Sequence, residues 1–387
     1  MTKKYVFRNL LNIILICFLS NCISDYVAVG VKDTEGILVV EGIILEEGTT
    51  IKLSRSVKLD DRLPGQLSDV LFAHIEVIDE NNNVIATAAS NMTTPGTYMI
   101  TDKITFTPGM KYALDIQIDN KHYRSDFVAP VHTPDIDELS WKSNEDNSID
   151  ILVSTHDPVN ETLYYRWAFE EDWEIRSKEF GAYIYNPFTG EITPQSQWGP
   201  NNKYYCWASD YSKSFLLGSS GKFMNAVIKD HKIHNFKPGS TRFSYLYSIL
   251  VKQYGLNKEA YDYFENLQRN VDESGSLFAP QPSEKSGNIQ CLSNPDEPVI
   301  GYVVFTKEIV NRLYIEFAFP TLEDEFSCGE ERECSVYELY DAYLEGWGIR
   351  NAEWPGPSYI CVPIRCVDCT LRGGTKNKPD FWPNDHQ

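Results

Sequence analysis

A run of carboxylates is the first feature of the sequence that could do chemistry. Four acidic residues lie close together beside two tryptophans, Trp167 and Trp173, and these residues are Glu170, Glu171, Asp172 and Glu174. Two carboxylates that flank a sugar can act as the acid and the nucleophile or base of a glycosidase. A charged run is more often the solvated edge of a strand, and the sequence places no catalytic partner beside this one. We therefore favour a structural interpretation, and glycan hydrolysis remains the third of three functional alternatives.

Three shorter patterns suggest phosphate or metal chemistry but depart from the known motifs. Gly218–Lys222 lacks the first glycine of a phosphate loop, and Phe223 stands where Ser or Thr would follow. His231 and His234 lack the neighbouring glutamate of a zinc protease. Asp79–Asn83 offers oxygen ligands for calcium but is more typical of a hairpin turn. The sequence thus predicts a loop, surface histidines and a turn, with no catalytic residue, no metal site and no cofactor.

The N-terminal residues have the layout of an export signal. Basic residues between Lys3 and Arg8 precede an apolar stretch, Leu10–Leu19, that is too short for a hydrocarbon core of about 30 Å. The stretch ends in Leu19–Cys22, which resembles a bacterial lipobox, with Asn21 where Gly, Ala or Ser is usual. We expect residues 1–21 to be a lipoprotein signal peptide and 22–35 to be a linker from the anchor.

Acylation of Cys22 would make the lipid bilayer a partner of the protein. Each buried CH₂ contributes about 0.8 kcal/mol, so several acyl chains on one cysteine anchor a protein firmly. The expected location is the outer membrane, with either the surface or the periplasmic face open. The alternative is an ordinary signal peptide in which Cys22 has no role.

The remaining cysteines are expected to be oxidised outside the cytoplasm. Setting aside Cys17 and Cys22 leaves an odd number, so one thiol stays unpaired. Beside Cys206, the candidates for disulfides are Cys291, Cys328, Cys334, Cys361, Cys366 and Cys369. Cys328 and Cys334 are close enough in sequence to bridge a short loop, and the other pairings are open. Zinc is disfavoured because the C-x-x-C at 366–369 has no second such pair.

Two groups of aromatic residues are candidates for recognition. The first lies in a polar stretch and could stack against a sugar or a peptide; it comprises Trp198, Tyr204, Tyr205 and Trp207. The second is Phe381 and Trp382 near the C-terminus, which we expect to dock the tail onto the body. The alternative for the second group is presentation to a receptor.

Composition places the chain among globular proteins and excludes nucleic acid as a partner. The 387 residues are 42% hydrophobic and 23% charged, close to the average for globular domains. Acidic residues number 55 against 35 basic ones, for a net charge of −20. Such a surface repels phosphate backbones.

The elements that must position these residues are mainly β-strands. Short β-branched or alternating runs are separated by Asn, Gly and Pro turns. They predict an immunoglobulin-like β-sandwich over 36–130 and a second β-sandwich-like domain over 136–320. The second domain carries a predicted insertion at 179–240 and one helix at 258–272. Residues 321–387 are predicted to be a cysteine-rich tail held by disulfides rather than by regular structure.

Several stretches resemble a family of Bacteroidota cell-envelope lipoproteins that carry an uncharacterised domain. The resemblance rests on five segments, which are Leu38–Gly42 with Lys52–Arg55, Tyr164–Trp167, Lys258–Leu267, Gly287–Ile289 with Asn294–Glu297, and Cys366–Trp382. Members of that family are often encoded beside TonB-dependent receptors. The resemblance implies a non-enzymatic accessory role in nutrient uptake and supplies no catalytic residues. The alternative is a stand-alone surface adhesin or glycan-binding protein, with a glycan or peptide as ligand.

Overall fold

A computed structural model describes residues 36–57, 68–197, 199–221, 226–273, 287–316, 328–353 and 358–383. The expected signal peptide, the linker, Cys22 and Trp198 lie outside the described residues. The fold is mainly β, as the sequence predicts.

The N-terminal sandwich has two sheets that share one apolar core. In spatial order, the first sheet contains β20 (Val299–Gly301), β1 (Leu38–Leu45), β2 (Thr49–Arg55), β7 (Thr97–Ile100) and β6 (Ala89–Ser90), with β21 (Val304–Thr306) beside β1 and β3 (Ser68–Asp69) beside β2. The second contains β19 (Ile289–Cys291), β9 (Lys121–Ser125), β8 (Tyr112–Ile118), β4 (His74–Asp79) and β5 (Val84–Thr87). Alternate residues of β8 fill the core between the sheets. This arrangement is consistent with an immunoglobulin-like sandwich.

The N-terminal sandwich is completed by a segment that the sequence assigned to the second domain. β20 and β21 run parallel to β1, and β19 pairs with β9. Asn288 holds this return segment in place, because its side chain exchanges hydrogen bonds of 2.8 and 3.0 Å with the backbone of Val303. Gly301 has a positive φ, and a Cβ there would lie 2.4 Å from the Val40 carbonyl oxygen. The close approach to β1 therefore requires glycine.

The second sandwich has a shorter and a longer sheet around a separate core. The shorter sheet contains β10 (Ile136–Ser143), β11 (Ile149–His156) and β17 (Val227–Phe236). The longer sheet contains β15 (Tyr205–Tyr211), β12 (Tyr164–Arg176), β18 (Tyr247–Leu256) and β22 (Glu308–Ile315), with β16 (Leu216–Ser219) beside β12. Most of the predicted insertion at 179–240 is therefore integral to this sandwich, because β15, β16 and β17 pair with its strands.

Helix α1 (Lys258–Glu273) follows β18 and starts where the sequence predicts. The Asn257 side chain caps it by accepting a hydrogen bond of 2.8 Å from the Ala260 backbone N–H. Phe264 and Ala260 are buried against β21 and the end of β18. α1 thus covers the side of β12 that faces away from the sandwich core.

The C-terminal residues form a small lobe with regular structure, which corrects the prediction of an irregular tail. Its sheet contains β23 (Arg332–Ser335), β25 (Ser358–Pro363) and β24 (Trp347–Glu353), and a short helix α2 (Leu339–Leu344) packs on it. The hairpin of β13 (Tyr183–Tyr185) and β14 (Ile192–Pro194) adds its side chains to the same core. Alternation in segments this short is too weak a signal for sequence-based prediction.

Two disulfides tie the C-terminal lobe together and to the second sandwich. Cys206 in β15 bonds Cys369, and Cys328 bonds Cys366 rather than the nearby Cys334. Three of the seven cysteines are buried free thiols, where the sequence predicted one; these are Cys291, Cys334 and Cys361. Burial, together with the neighbouring Cys334 thiol, raises the pKa of Cys361 to about 12. At neutral pH the Cys361 thiol is therefore protonated and unreactive.

Candidate functional site

The four carboxylates at 170–174 are all engaged in β12. Glu171 is 2% exposed and accepts hydrogen bonds from the Arg242 guanidinium and from the Tyr247 hydroxyl. Ion pairs join the others to basic residues, and these pairs are Glu170 with Lys252, Asp172 with Arg312 and Glu174 with Arg176. Side chains alternate across a strand, so Glu170, Asp172 and Glu174 share one face of β12 and Glu171 points to the other. Each of the four carboxylates has a basic partner among the described residues.

The shorter patterns also have structural roles. Gly218 lies in β16, not in a loop, and a Cβ there would come within 2.7 Å of the Trp167 ring. His231 is partly buried and stacks on Trp167 with a centroid distance of 4.8 Å. Burial lowers the pKa of His231, so it packs as a neutral ring and is not the surface histidine that the sequence predicts. Among the described residues, no three His, Cys, Asp or Glu side chains are grouped to hold a metal ion.

The turn at 79–83 follows the prediction. The Asp79 carboxylate accepts hydrogen bonds from the Asn81 and Asn83 backbone N–H groups at 2.9 and 2.8 Å and from the Asn83 side chain at 2.9 Å. These bonds, above all the one from the Asn83 side chain, lower the pKa of Asp79. Asn82 takes the positive φ that the turn requires.

The aromatic residues around 204–207 are packed inside the protein, which corrects the expectation of an exposed binding surface. Tyr205 and Trp207 are 8% and 6% exposed, and they share a cluster with Leu246 and Trp382. Tyr204 is partly buried and meets Tyr205 edge to face at 4.8 Å. These rings form the surface on which the C-terminal tail packs.

The tail contacts this surface through both its backbone and its side chains. Trp207 and Thr375 exchange backbone hydrogen bonds of 2.8 and 2.9 Å. Trp382 is 3% exposed. Phe381 is 40% exposed, with the Arg312 guanidinium 3.4 Å from its ring centroid. Trp382 is therefore the docked ring of the pair, and Phe381 lies at the edge of the contact.

The best candidate for a binding site is a groove of about 520 Å³ between the two sandwiches. β1 of the N-terminal sandwich forms one wall, and β12 and β18 of the second sandwich form another, with α1 closing one side. Its aromatic lining comprises Phe215, Tyr254, Tyr263, Phe264 and Tyr302. Ligand sites commonly have this size and lie at such junctions. We call this feature the inter-sandwich groove.

Arg166 of β12 is the unusual group in the inter-sandwich groove. Its guanidinium carbon lies 4.9 Å from the Phe215 ring centroid and 5.0 Å from that of Phe264. Its Nε atom is buried without a hydrogen-bond partner within the described part of the chain. Burial lowers the pKa of Arg166, while the nearby Tyr254 and Glu41 act in the opposite direction. The guanidinium remains charged at neutral pH, as arginine does throughout proteins.

Three other polar groups of the inter-sandwich groove, Lys252, Tyr254 and Glu308, are paired with one another or with a neighbouring residue. Lys252 binds Glu170 at 2.5 Å, and the Tyr254 hydroxyl donates to Glu308 at 2.6 Å. Burial, reinforced by that hydrogen bond to Glu308, raises the pKa of Tyr254, so its hydroxyl remains protonated. Arg166 is thus the cation of the groove that is left for a ligand.

A smaller cavity of about 290 Å³ lies between the β13–β14 hairpin and the C-terminal lobe. Its lining is apolar apart from a few polar groups, of which Lys203 and Asp368 bind each other at 2.5 Å. Because Lys203 and Asp368 are paired with each other, neither is left to bind a ligand as Arg166 is. We therefore prefer the inter-sandwich groove.

Three of the segments that carry the family resemblance meet at the inter-sandwich groove. Val39–Gly42 of β1, Arg166 of β12, and Tyr263, Phe264 and Leu267 of α1 all line it. A fourth segment is structural, since Asn288 holds the return segment and Glu297 accepts a hydrogen bond of 2.7 Å from the Tyr123 hydroxyl. No pattern in the sequence assigns Arg166 a functional role.

The fold and groove define a class of β-protein in which two sandwiches enclose a charged, aromatic-lined groove. The chain belongs to the family defined by a domain of unknown function, DUF4249, whose model matches residues 24–309. No functionally curated protein matches the sequence. Among the described residues, no helix is both long and apolar enough to cross a membrane.

The chain is distantly similar to solved structures of bacterial alpha-2-macroglobulins. A crystal structure of a Salmonella alpha-2-macroglobulin mutant is 10% identical, with a TM-score of 0.19, over 61% of this chain and 14% of that one. Trypsin-activated alpha-2-macroglobulin from Escherichia coli is 9% identical, with a TM-score of 0.18, over 61% of this chain and 15% of that one.

Proposed function

We propose that this protein is a lipoprotein of the outer membrane and a non-enzymatic accessory component of a TonB-dependent nutrient uptake system. In this proposal acylated Cys22 anchors the chain in the bilayer. The inter-sandwich groove holds the nutrient ligand while a TonB-dependent receptor takes it up. The protein supplies binding and orientation, and the receptor supplies transport.

The observation that carries the proposal is the composition of the inter-sandwich groove. It combines Arg166, whose Nε atom has no hydrogen-bond partner among the described residues, with aromatic walls, and segments from both sandwiches and α1 build it. Aromatic faces and one placed charge are the usual means of binding a polar organic ligand. The ion pairs of the carboxylate run support a binding role over hydrolysis, because those groups already have partners.

The anchor is tested by changing Cys22. In Cys22→Ala cells, metabolic labelling of this protein with a fatty-acid analogue should be lost, because the thiol that receives the lipid is absent. Cys17→Ala is the matched control, since Cys17 lies in the expected signal peptide, and it should label as the wild type does. Unchanged labelling of the Cys22→Ala protein would contradict a lipid at this position.

A further inference from the structure

Arg166 is a charged group that the fold itself does not use in an ion pair within the described residues. A buried charge without a partner is costly, and substitution by an apolar side chain of similar size is often neutral or stabilising. Cation–π contacts with Phe215 and Phe264 offset part of this cost. The protein thus keeps a partly buried guanidinium at the groove, with no salt bridge to it among the described residues.

We propose that Arg166 binds a carboxylate group of the ligand in the inter-sandwich groove. This inference rests on the proposed function of that groove as a binding site. The planar fork of a guanidinium can form two parallel hydrogen bonds to a carboxylate. Phe215 and Phe264, whose ring centroids are 5.3 Å apart, both contact the guanidinium, so little side-chain entropy is lost when such a pair forms.

The surrounding charges favour a carboxylate over a phosphate. Glu41 and Glu308 also line the inter-sandwich groove, and the chain carries a net charge of −20. A phosphate monoester brings about −1.5 to −2 charges at neutral pH. Arg166 can balance one negative charge, and the excess of a phosphate would meet these carboxylates at close range. A singly charged carboxylate meets less of this repulsion than a phosphate does.

The walls of the groove determine what the carboxylate is attached to. Tyr263 and Tyr302 lie with their ring centroids 5.4 Å apart, and Tyr302 also meets Phe264 at 6.4 Å. These rings offer flat surfaces to the apolar face of a sugar ring or to a hydrophobic side chain. An acidic sugar and the C-terminal residue of a peptide share this chemistry.

The experiment compares acidic probes with their neutral counterparts by isothermal titration calorimetry on the mature protein. The first pair is trigalacturonic acid and its methyl ester, and the second is a tripeptide ending in Phe with a free or an amidated C-terminus. We expect the wild type to bind the acidic member of one pair at least tenfold more tightly than its neutral member. The pair that shows this preference identifies the source of the carboxylate. No preference in either pair would overturn the proposal.

Two variants assign such a preference to Arg166. Arg166→Met should abolish it, and Arg166→Lys should weaken it because the charge remains while the fork is lost. Arg269→Met is the matched control, because Arg269 is an exposed arginine of α1 that binds Glu265 at 2.9 Å, and this variant should keep the preference. A preference that survives in Arg166→Met would overturn the proposal.

Thermal melting separates binding from support of the fold. Because Arg166 has no ion pair to lose within the described residues, Arg166→Met should melt at the same temperature as the wild type or higher. A clearly lower melting temperature would show that Arg166 serves the fold, and would overturn the proposal.

Receptor association is measured without these probes. If the receptor still co-purifies while the wild type shows no preference for the acidic probes, the proposed ligand class is wrong and the accessory role stands. If the preference is present but no receptor co-purifies, only the accessory role is rejected.

Discussion

Replacing Cys206 and Cys369 together by alanine should lower the free energy of unfolding by about 5 kcal/mol. The two cysteines are 163 residues apart, so their bond removes a large amount of chain entropy from the unfolded state. It also fixes the C-terminal lobe to β15, beside the backbone pairing of Trp207 with Thr375. Urea denaturation followed by tryptophan fluorescence measures the loss.

The second disulfide provides a matched comparison. Cys328 and Cys366 are 38 residues apart, so replacing both by alanine should cost about 4 kcal/mol, roughly 1 kcal/mol less than the first pair.

Free-thiol counting on the denatured, unreduced wild-type protein should find the three thiols that the structure leaves free. Five or more thiols, or an unchanged unfolding midpoint in the double variant, would contradict the assigned bonds.

Trp382→Ala should lower the free energy of unfolding by about 3 kcal/mol, the low end for a buried tryptophan. The ring is 3% exposed among Tyr205, Trp207 and Leu246, so its loss leaves a cavity under the tail. The low end applies because the Trp382 Nε1 atom is buried without an acceptor among the described residues, and that cost disappears with the ring. Chemical denaturation again provides the measurement.

Phe381→Ala is the control for Trp382→Ala, because the neighbouring ring is 40% exposed. It should cost less than half as much, since the Phe381 ring stays partly solvated beside the side chain of Arg312. Equal effects of the two substitutions, or no effect of either, would contradict docking through Trp382. A tail that presents both rings to a receptor would show unchanged unfolding in both variants.

Local patterns in the sequence were sufficient to predict many strands and the one long helix. β-branched alternation in the stretch that became β8 identifies its buried face, because side chains alternate across a strand. Asn257 followed by apolar residues at helical spacing marks the start of α1. Both signals depend on neighbours along the chain.

The arrangement of the strands could not be read from local patterns. β19, β20 and β21 are three residues each and return to the N-terminal sandwich before β22 completes the second. Short strands carry little periodicity, and their partners lie far away in sequence. The paired cysteines show the same difficulty, because Cys206 and Cys369 approach each other only once β15 and the tail have folded together.

The candidate site could not be predicted from the sequence, for a related reason. Arg166 alternates with the core residues Tyr165 and Trp167, so its position on the outer face of β12 follows from the sequence. An arginine on an outer face is normally solvated. Only the packing of α1 and β1 around that face turns it into a groove, and no local pattern predicts that contact.

Isolation of the tagged, full-length protein from detergent-solubilised outer membranes tests the accessory role most directly. Quantitative mass spectrometry of the co-purifying proteins, with an unrelated tagged outer-membrane lipoprotein as control, measures the association. We predict strong enrichment of one TonB-dependent receptor over that control. A lipidated protein that purifies without any such receptor would contradict the accessory role and favour an adhesin or glycan-binding protein that works alone.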